Sequence, residues 1–155
     1  MNALARHCVV PIALIVFAGA AAPQGDPHRI VQPDQLKWAD VPSLPAGAKI
    51  AVIEGPMNEA KPFTIRLRFP ADYRIPPHIH PAVERVTVLS GTFHLAMGEK
   101  FDPAAGQAMP TGATAIMPAG MTHYAWTTAE TVVQLHGMGP WGITYVRDAD
   151  DPRKE

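Results

Sequence analysis

The sequence predicts an all-β protein, a sandwich or barrel of short strands. Apolar runs rich in β-branched and aromatic residues recur from Lys49 to Val146, and each is bounded by glycine or proline. No stretch of ten residues has the periodicity of an amphipathic helix. The runs are, in order, "KIAVIEG", "PFTIRLRFP", "ERVTVLSG", "TFHLAMGEKF", "ATAIMP", "MTHYAWTT", "TVVQLHG" and "WGITYV". Their length and close spacing favour a sandwich or barrel over a fold with helices.

Alternation is clearest in "PFTIRLRFP". Phe63, Ile65 and Leu67 share one face of the predicted strand, whereas Arg66 and Arg68 share the other. This strand is expected to be half-buried.

The composition is that of one ordinary globular domain. The chain has 155 residues, of which 47% are apolar and 17% charged. Its formal net charge is -1 with neutral histidines, and the charges are scattered without a basic stripe. We therefore expect no nucleic-acid partner.

The N-terminus predicts an exported protein. Arg6 precedes an apolar run from Val9 to about Ala22, and the small residues "AGA" end at Ala20. The run of roughly 14 residues is short for a span, so we predict a signal peptide over residues 1–20, with a retained anchor as the alternative. The mature protein would be periplasmic or secreted and free of the membrane. The only cysteine, Cys8, would leave with the peptide, so a metal would need histidine and carboxylate ligands.

The mature chain divides into three predicted parts. Residues 21–48 are rich in proline and aspartate and are expected to form an extended N-terminal arm, with at most one helical turn around Pro33 to Trp38. Residues 49–147 hold the β-rich runs, and residues 148–155 form a polar C-terminal tail.

The stretch "PPHIHPAVERVTVLSG" concentrates metal-binding side chains at the entry to a strand. His78 and His80 are two residues apart, so an extended backbone points both imidazoles to the same side. Neighbouring prolines favour that extended conformation. Glu84 follows four residues later, which predicts a divalent metal site. His123, after the predicted turn at Pro118 to Gly120, could supply a fourth ligand from a second hairpin.

These two stretches resemble the two motifs of the cupin superfamily. The first motif is matched by His78-Ile79-His80, three intervening residues, Glu84, six intervening residues and Gly91. The second is matched by Gly112, the Pro118-Ala119-Gly120 turn and His123. Two positions depart from the pattern: Asp72 stands for the opening glycine and Thr127 for the closing asparagine. The mature chain also looks like the small secreted single-domain cupins of bacteria.

The resemblance implies a double-stranded β-helix, which is a jelly-roll barrel, behind the N-terminal arm. It also implies one divalent ion, Fe, Mn, Ni or Zn, bound by His78, His80, Glu84 and His123. An octahedral ion would keep two adjacent positions open for substrate or dioxygen, whereas a tetrahedral Zn site would be closed and structural. The alternative is a cupin barrel that has lost its metal.

Four further side chains are candidates for the pocket. Thr127 has the same parity as His123 and is expected to face the pocket, whereas Tyr124 and Trp126 face away. His94 and His136 could act there as acid or base, although partly exposed strand histidines explain them better. Arg66 could contact an anionic substrate, and a solvated sheet face is its simpler interpretation. Trp141 is interpreted as a packing residue.

Two classes of function remain open. The first is a metal-dependent enzyme that acts on a small organic substrate, a dioxygenase in the first instance, with lyase, isomerase or decarboxylase chemistry as alternatives. The second is a non-catalytic module that binds a metal or a small ligand. The expected partner is a small molecule, and a homodimer is left open.

Overall fold

Two antiparallel sheets make up the molecule. The computed structural model describes residues 28–154, and this part of the chain contains eleven strands. They are β1 Ala39–Asp40, β2 Lys49–Glu54, β3 Pro62–Phe69, β4 Arg74–Ile79, β5 Glu84–Ser90, β6 Thr92–Met97, β7 Gln107–Pro110, β8 Thr114–Met117, β9 His123–Thr127, β10 Thr131–Met138 and β11 Thr144–Tyr145. Short 3-10 helices cover Pro33–Gln35, Pro103–Ala105, Asp148–Asp150 and Pro152–Lys154.

The order of the strands confirms the predicted jelly roll. One sheet has the order β1-β2-β3-β10-β5-β8 and the other β11-β4-β9-β6-β7. The pairs β3 with β10, β4 with β9, β5 with β8 and β6 with β7 are nested, so the chain folds back on itself as a long double strand. A jelly roll has this nested pairing, which wraps two sheets around a shared interior.

The interior is filled by the side chains that alternation predicts. Strand β3 alternates along its whole length, and its four inward residues from Phe63 to Phe69 are at most 7% exposed. Strands β5 and β10 alternate in the same way. The ring of Phe69 stacks between those of Tyr73 and Phe93, at centroid distances of 5.2 and 5.7 Å respectively. This aromatic stack lies at the end of β3 that is remote from Phe63.

Two motif positions show why their residues suit the backbone. Asp72 has φ of 55°, a left-handed conformation that aspartate tolerates better than most residues, so it replaces the glycine expected there without losing the turn. Gly91 has φ of 79°, and a Cβ at this position would lie 2.6 Å from the Glu130 carbonyl oxygen. The β5–β6 turn therefore requires glycine.

The described part of the predicted arm packs against the barrel. Its 3-10 helix at Pro33–Gln35 lies where the helical turn is expected, but β1 then pairs with β2, and Leu44 joins the core with 8% exposure. We call residues 40–44 the strap. The Tyr145 hydroxyl donates to the Ser43 carbonyl at 2.8 Å, and the Tyr73 hydroxyl donates to the Pro45 carbonyl. The apolar side chains of this segment gain burial, and the tyrosines satisfy its backbone.

The predicted C-terminal tail is also packed. Arg153 donates to both carboxylate oxygens of Asp151 at 2.7 Å and to the Ile143 carbonyl at 3.1 Å. The predicted signal peptide lies outside the described residues. Within residues 28–154, no helix has the length and apolar character needed to cross a membrane.

Candidate metal centre

Three strand ends bring the predicted ligands together. His78 on β4 lies directly opposite His123 on β9, and their ring centroids are 4.2 Å apart. His80 follows the end of β4, and Glu84 begins β5 in the other sheet. All four side chains are buried, with at most 8% of each residue exposed. The structure therefore assembles the four predicted residues from both sheets at one place.

Prolines shape the approach to the first two histidines. Pro76 and Pro77 have no N–H to donate, and the β4–β9 register shifts between Ile75 and His78. Even so, both His78 and His80 point inward, with ring centroids 4.9 Å apart. The predicted shared direction of the two imidazoles is thus kept across an irregular strand.

Backbone carbonyls fix the orientation of all three imidazoles. The Nδ1–H group of His78 donates to Pro76 at 2.7 Å, that of His80 to Gly142 at 2.7 Å, and that of His123 to Met121 at 2.9 Å. A histidine whose Nδ1 donates in this way keeps a lone pair on Nε2 when neutral. Metal-binding histidines are usually held by such a hydrogen bond from the other ring nitrogen.

The Glu84 carboxylate faces imidazole Nε2 atoms, which are hydrogen-bond acceptors when the rings are neutral. Glu84 Oε2 is 3.4 Å from His80 Nε2 and 3.2 Å from His123 Nε2, and it is buried with no hydrogen-bond partner among the described residues. Ligand atoms of the three histidines lie within 4.8 Å of one another. Acceptors that face one another without a proton repel, and a cation between them removes that repulsion.

The distances also suit a divalent ion. Two ligands at about 2.1 Å from one ion are separated by about 3.0 Å in an octahedral site and about 3.4 Å in a tetrahedral one. The carboxylate-to-imidazole separations of 3.2 and 3.4 Å fall in this range. These residues could hold a divalent metal ion through three nitrogens and one oxygen.

Burial keeps the histidines in the form that binds metal. The pKa of His78 is lowered well below its usual value by burial and then by the neighbouring His123 and His80. Burial also lowers the pKa of His80, and this outweighs the opposing influence of the Glu84 carboxylate. Both imidazoles are therefore neutral at pH 7, with Nε2 available to a metal.

The four residues face a cavity of about 290 Å³ inside the barrel. Most of its wall is apolar and comes from both sheets, the strap and the segment Trp141 to Ile143. The wall residues beyond the ligands include Leu67, Phe69, Ile75, Val86, Phe93, Leu95, Met117, Ala125, Val133 and Leu135. The polar cluster is thus the exception in an otherwise hydrophobic chamber.

The segment 141–142 holds His80 and was not predicted as part of the site. The Trp141 indole stacks on the His80 ring at 4.2 Å with an angle of 16°, while the Gly142 carbonyl accepts the Nδ1–H group. Trp141 is itself fixed by its backbone N–H, which donates to the Met57 carbonyl at 2.6 Å. These contacts join residues about 60 positions apart, and the aromatic character of Trp141 was the only local signal.

The structure places the other four pocket candidates outside the cavity wall. His94 stacks on Trp126 at 5.0 Å, and His136 is exposed on the outer face of its strand. Arg66 donates to Gln134 at 3.1 Å. Thr127, predicted to face the pocket, is buried, and its hydroxyl donates to the Pro70 carbonyl at 2.7 Å, which links it to the turn before β4.

Comparisons with solved structures agree on the fold. The polyketide cyclase RemF from Streptomyces resistomycificus superposes with a TM-score of 0.68 at 16% identity, covering 82% of this chain and 91% of that one. A putative acetylacetone dioxygenase from Methylibium petroleiphilum gives 0.63 at 16% identity, with 85% and 90% covered. An RmlC-like cupin from Shewanella frigidimarina gives 0.58 at 13% identity, with 72% and 91% covered.

A search among curated protein sequences found no match. The family model of the ChrR cupin-like domain, in contrast, matches residues 26–142, which is most of the chain. This range includes both sequence motifs and all four residues of the candidate metal centre. The chain therefore belongs to the ChrR cupin-like family, within the cupin superfamily.

Proposed function

We propose that this protein is a metal-dependent enzyme of the dioxygenase type that acts on a small organic molecule. One divalent ion per chain is bound by His78, His80, Glu84 and His123. The observation that carries the proposal is the position of these four acceptors in the wall of a largely apolar chamber. A bound ion of this kind supplies a Lewis acid and open positions for small oxygen ligands.

The chamber favours oxygenation because its wall offers few groups that could transfer a proton. Among the described residues of the wall, Asp40 is the only titratable side chain outside the metal centre. Its carboxylate is 2.6 Å from the Lys49 ammonium group. A lyase or isomerase needs a base that removes a proton from carbon. Addition of both atoms of dioxygen to a substrate balances without any net proton transfer.

The protein's own residues orient and shield the reacting groups. The three carbonyls that accept the Nδ1–H groups hold the imidazole planes, and Trp141 limits rotation of the His80 ring. Burial of the ligands excludes bulk water, which strengthens electrostatic interactions inside the chamber. The activities of the similar structures do not decide the reaction, since a fold hosts many chemistries.

The test is oxygen-dependent turnover by metal-loaded protein. Apo-protein is loaded with Fe(II), Mn(II), Ni(II) or Zn(II) under nitrogen and screened against small organic compounds in air and under nitrogen. We expect turnover in air with incorporation of both atoms of labelled dioxygen, and its loss in Glu84→Ala and His78→Ala. His136→Ala, which changes an exposed histidine, is the matched control. Turnover that is unchanged under nitrogen would reject the oxygenase in favour of a lyase or isomerase. Activity that survives complete loss of metal would reject both.

We also propose that the protein acts outside the cytoplasm. The support is the sequence of residues 1–20, with its basic, apolar and small-residue regions. Cell fractionation should find a chain shortened at the N-terminus in the periplasm or medium. A full-length chain confined to the cytoplasm would contradict this localisation.

A further inference from the structure

The cavity extends along the strands from the metal centre. On β9, His123 belongs to the centre, and the next inward residue, Ala125, pairs with Leu95 on β6 and Ile75 on β4. Phe93 lies one further two-residue step along β6 and pairs with Thr127. A strand rises about 3.3 Å per residue, so Phe93 is about 13 Å from the level of His123. Since Leu95, Ala125 and Phe93 all line the cavity, the chamber is elongated, with the metal centre towards one end.

The body of this chamber carries no positive charge. Among residues 28–154, no lysine or arginine side chain contributes to the wall. Asp40, which lines the wall, is itself paired with Lys49 at 2.6 Å. An anionic group placed beyond the metal centre would lose its hydration and find no counter-charge. Hydrocarbon in the same place would contact Leu95, Ala125, Val133 and Phe93.

From this arrangement we infer that the substrate is an elongated molecule with oxygen donors at one end and an uncharged, apolar tail. The oxygen donors face the metal centre, and the tail lies along the chamber towards Phe93. This inference rests on the proposed function, because the head group is placed by the metal. A volume of about 290 Å³ corresponds to roughly ten water-sized groups at about 30 Å³ each, which sets the size of the molecule near ten non-hydrogen atoms.

Three hydroxamic acids test the inference, because they share a head group that chelates metals and differ only in their tails. Acetohydroxamic acid has the head alone, and octanohydroxamic acid adds an apolar tail. Suberic acid monohydroxamate has the same chain length with a carboxylate at its end. Binding to the purified Ni(II)-loaded protein, whose octahedral ion keeps two positions open, is measured by isothermal titration calorimetry at pH 7.5.

We expect octanohydroxamic acid to bind at least tenfold more tightly than acetohydroxamic acid. We expect the carboxylate-ended probe to bind at least tenfold more weakly than octanohydroxamic acid. Equal affinities for the short and long probes would overturn the inference, and so would equal affinities for the two long probes. If Ni(II) or acetohydroxamic acid does not bind at all, the proposed metal function fails, which is a separate result.

A substitution that fills part of the chamber tests where the tail of the probe lies. Ala125→Leu adds three carbons between the metal centre and Phe93, so the ratio of octanohydroxamate to acetohydroxamate affinity should fall at least fivefold. Ala108→Leu makes the same change on the exposed strand β7, outside the wall, and should leave the ratio unchanged. If Ala125→Leu does not fold, Ala125→Val is used and should lower the ratio by a smaller factor. An undiminished ratio in the folded Ala125 variant would place the tail elsewhere and overturn the inference.

Discussion

The metal-free protein is expected to lose stability on mild acidification because two of its buried histidines resist protonation. Burial lowers the pKa of His78 well below its usual value and also lowers that of His80. In the unfolded chain both imidazoles return to a pKa of about 6.5. Between the folded and unfolded pKa values the unfolded state binds more protons than the folded state, so acid favours unfolding.

The size of the effect follows from the number of such histidines. Each imidazole that stays neutral when folded and is protonated when unfolded changes the free energy of unfolding by at most about 1.4 kcal/mol per pH unit. His78 and His80 together give at most about 2.8 kcal/mol per pH unit below pH 6.5. The loss begins as pH falls through 6.5 and continues towards the folded pKa values. As pH rises well above 6.5, the contribution becomes fully present and the slope falls towards zero.

Urea unfolding of chelator-treated protein between pH 7.5 and 5.5 measures this slope. His78→Asn removes one titrating group at similar size and should give a shallower slope than the parent. His136→Asn changes an exposed histidine and should keep the parent slope. A free energy of unfolding that is constant from pH 7.5 to 5.5, or the same slope in His78→Asn as in the parent, would refute the reasoning.

Three further variants separate the roles of single side chains. Glu84→Gln should weaken Zn(II) binding at least tenfold, yet raise the stability of metal-free protein by about 1 kcal/mol, because an amide can donate to a facing imidazole Nε2. Zn(II) titration and urea unfolding measure the two effects, and a loss of both would contradict the acceptor cluster. Trp141→Ala should weaken Zn(II) binding about tenfold and Trp141→Phe less, while Trp126→Phe, outside the site, should not change it. Equal affinity in Trp141→Ala would show that the stacked ring does not position His80. Tyr145→Phe should lower the free energy of unfolding in urea by about 1 kcal/mol, since it removes the hydrogen bond to the strap. An unchanged unfolding midpoint would mean that water replaces this bond.

Local patterns predicted the barrel and the four clustered residues because both depend on short-range geometry. Alternation in β3 reports directly on burial, and the spacing of His78 and His80 fixes their shared direction. The same parity predicted that Thr127 faces the pocket, and the structure buries Thr127 without placing it in the cavity wall. Parity does not tell where a cavity ends, however. Thr127 lies level with Phe93, beside the aromatic stack, and its hydroxyl bonds to a carbonyl instead of facing open space.

Contacts between distant segments could not be predicted in this way. The packing of the strap on the barrel depends on Tyr145, about 100 residues later in the chain. The support of His80 by residues 141–142 is similarly remote. Alternation along β6 would have turned His94 outward once Phe93 and Leu95 were known to face inward. The sequence contains that alternation, but a single strand does not show which of its faces is the inner one.

The four candidate ligands come from two stretches of the chain, residues 78–84 and His123, and from both sheets, which couples the candidate metal centre to folding. His78 and His123 meet through the β4–β9 pairing, whereas Glu84 comes from the opposite sheet. His80 needs the Gly142 carbonyl, and the adjacent Trp141 is held in turn by the Met57 carbonyl. An unfolded chain has none of these relationships, so a bound ion stabilises only the closed barrel. Without the ion, the same closed barrel buries acceptors that repel one another. We therefore expect the candidate metal centre to lower the stability of the metal-free fold and to raise that of the metal-loaded one, and the carbonyl contacts orient the three imidazoles without an ion.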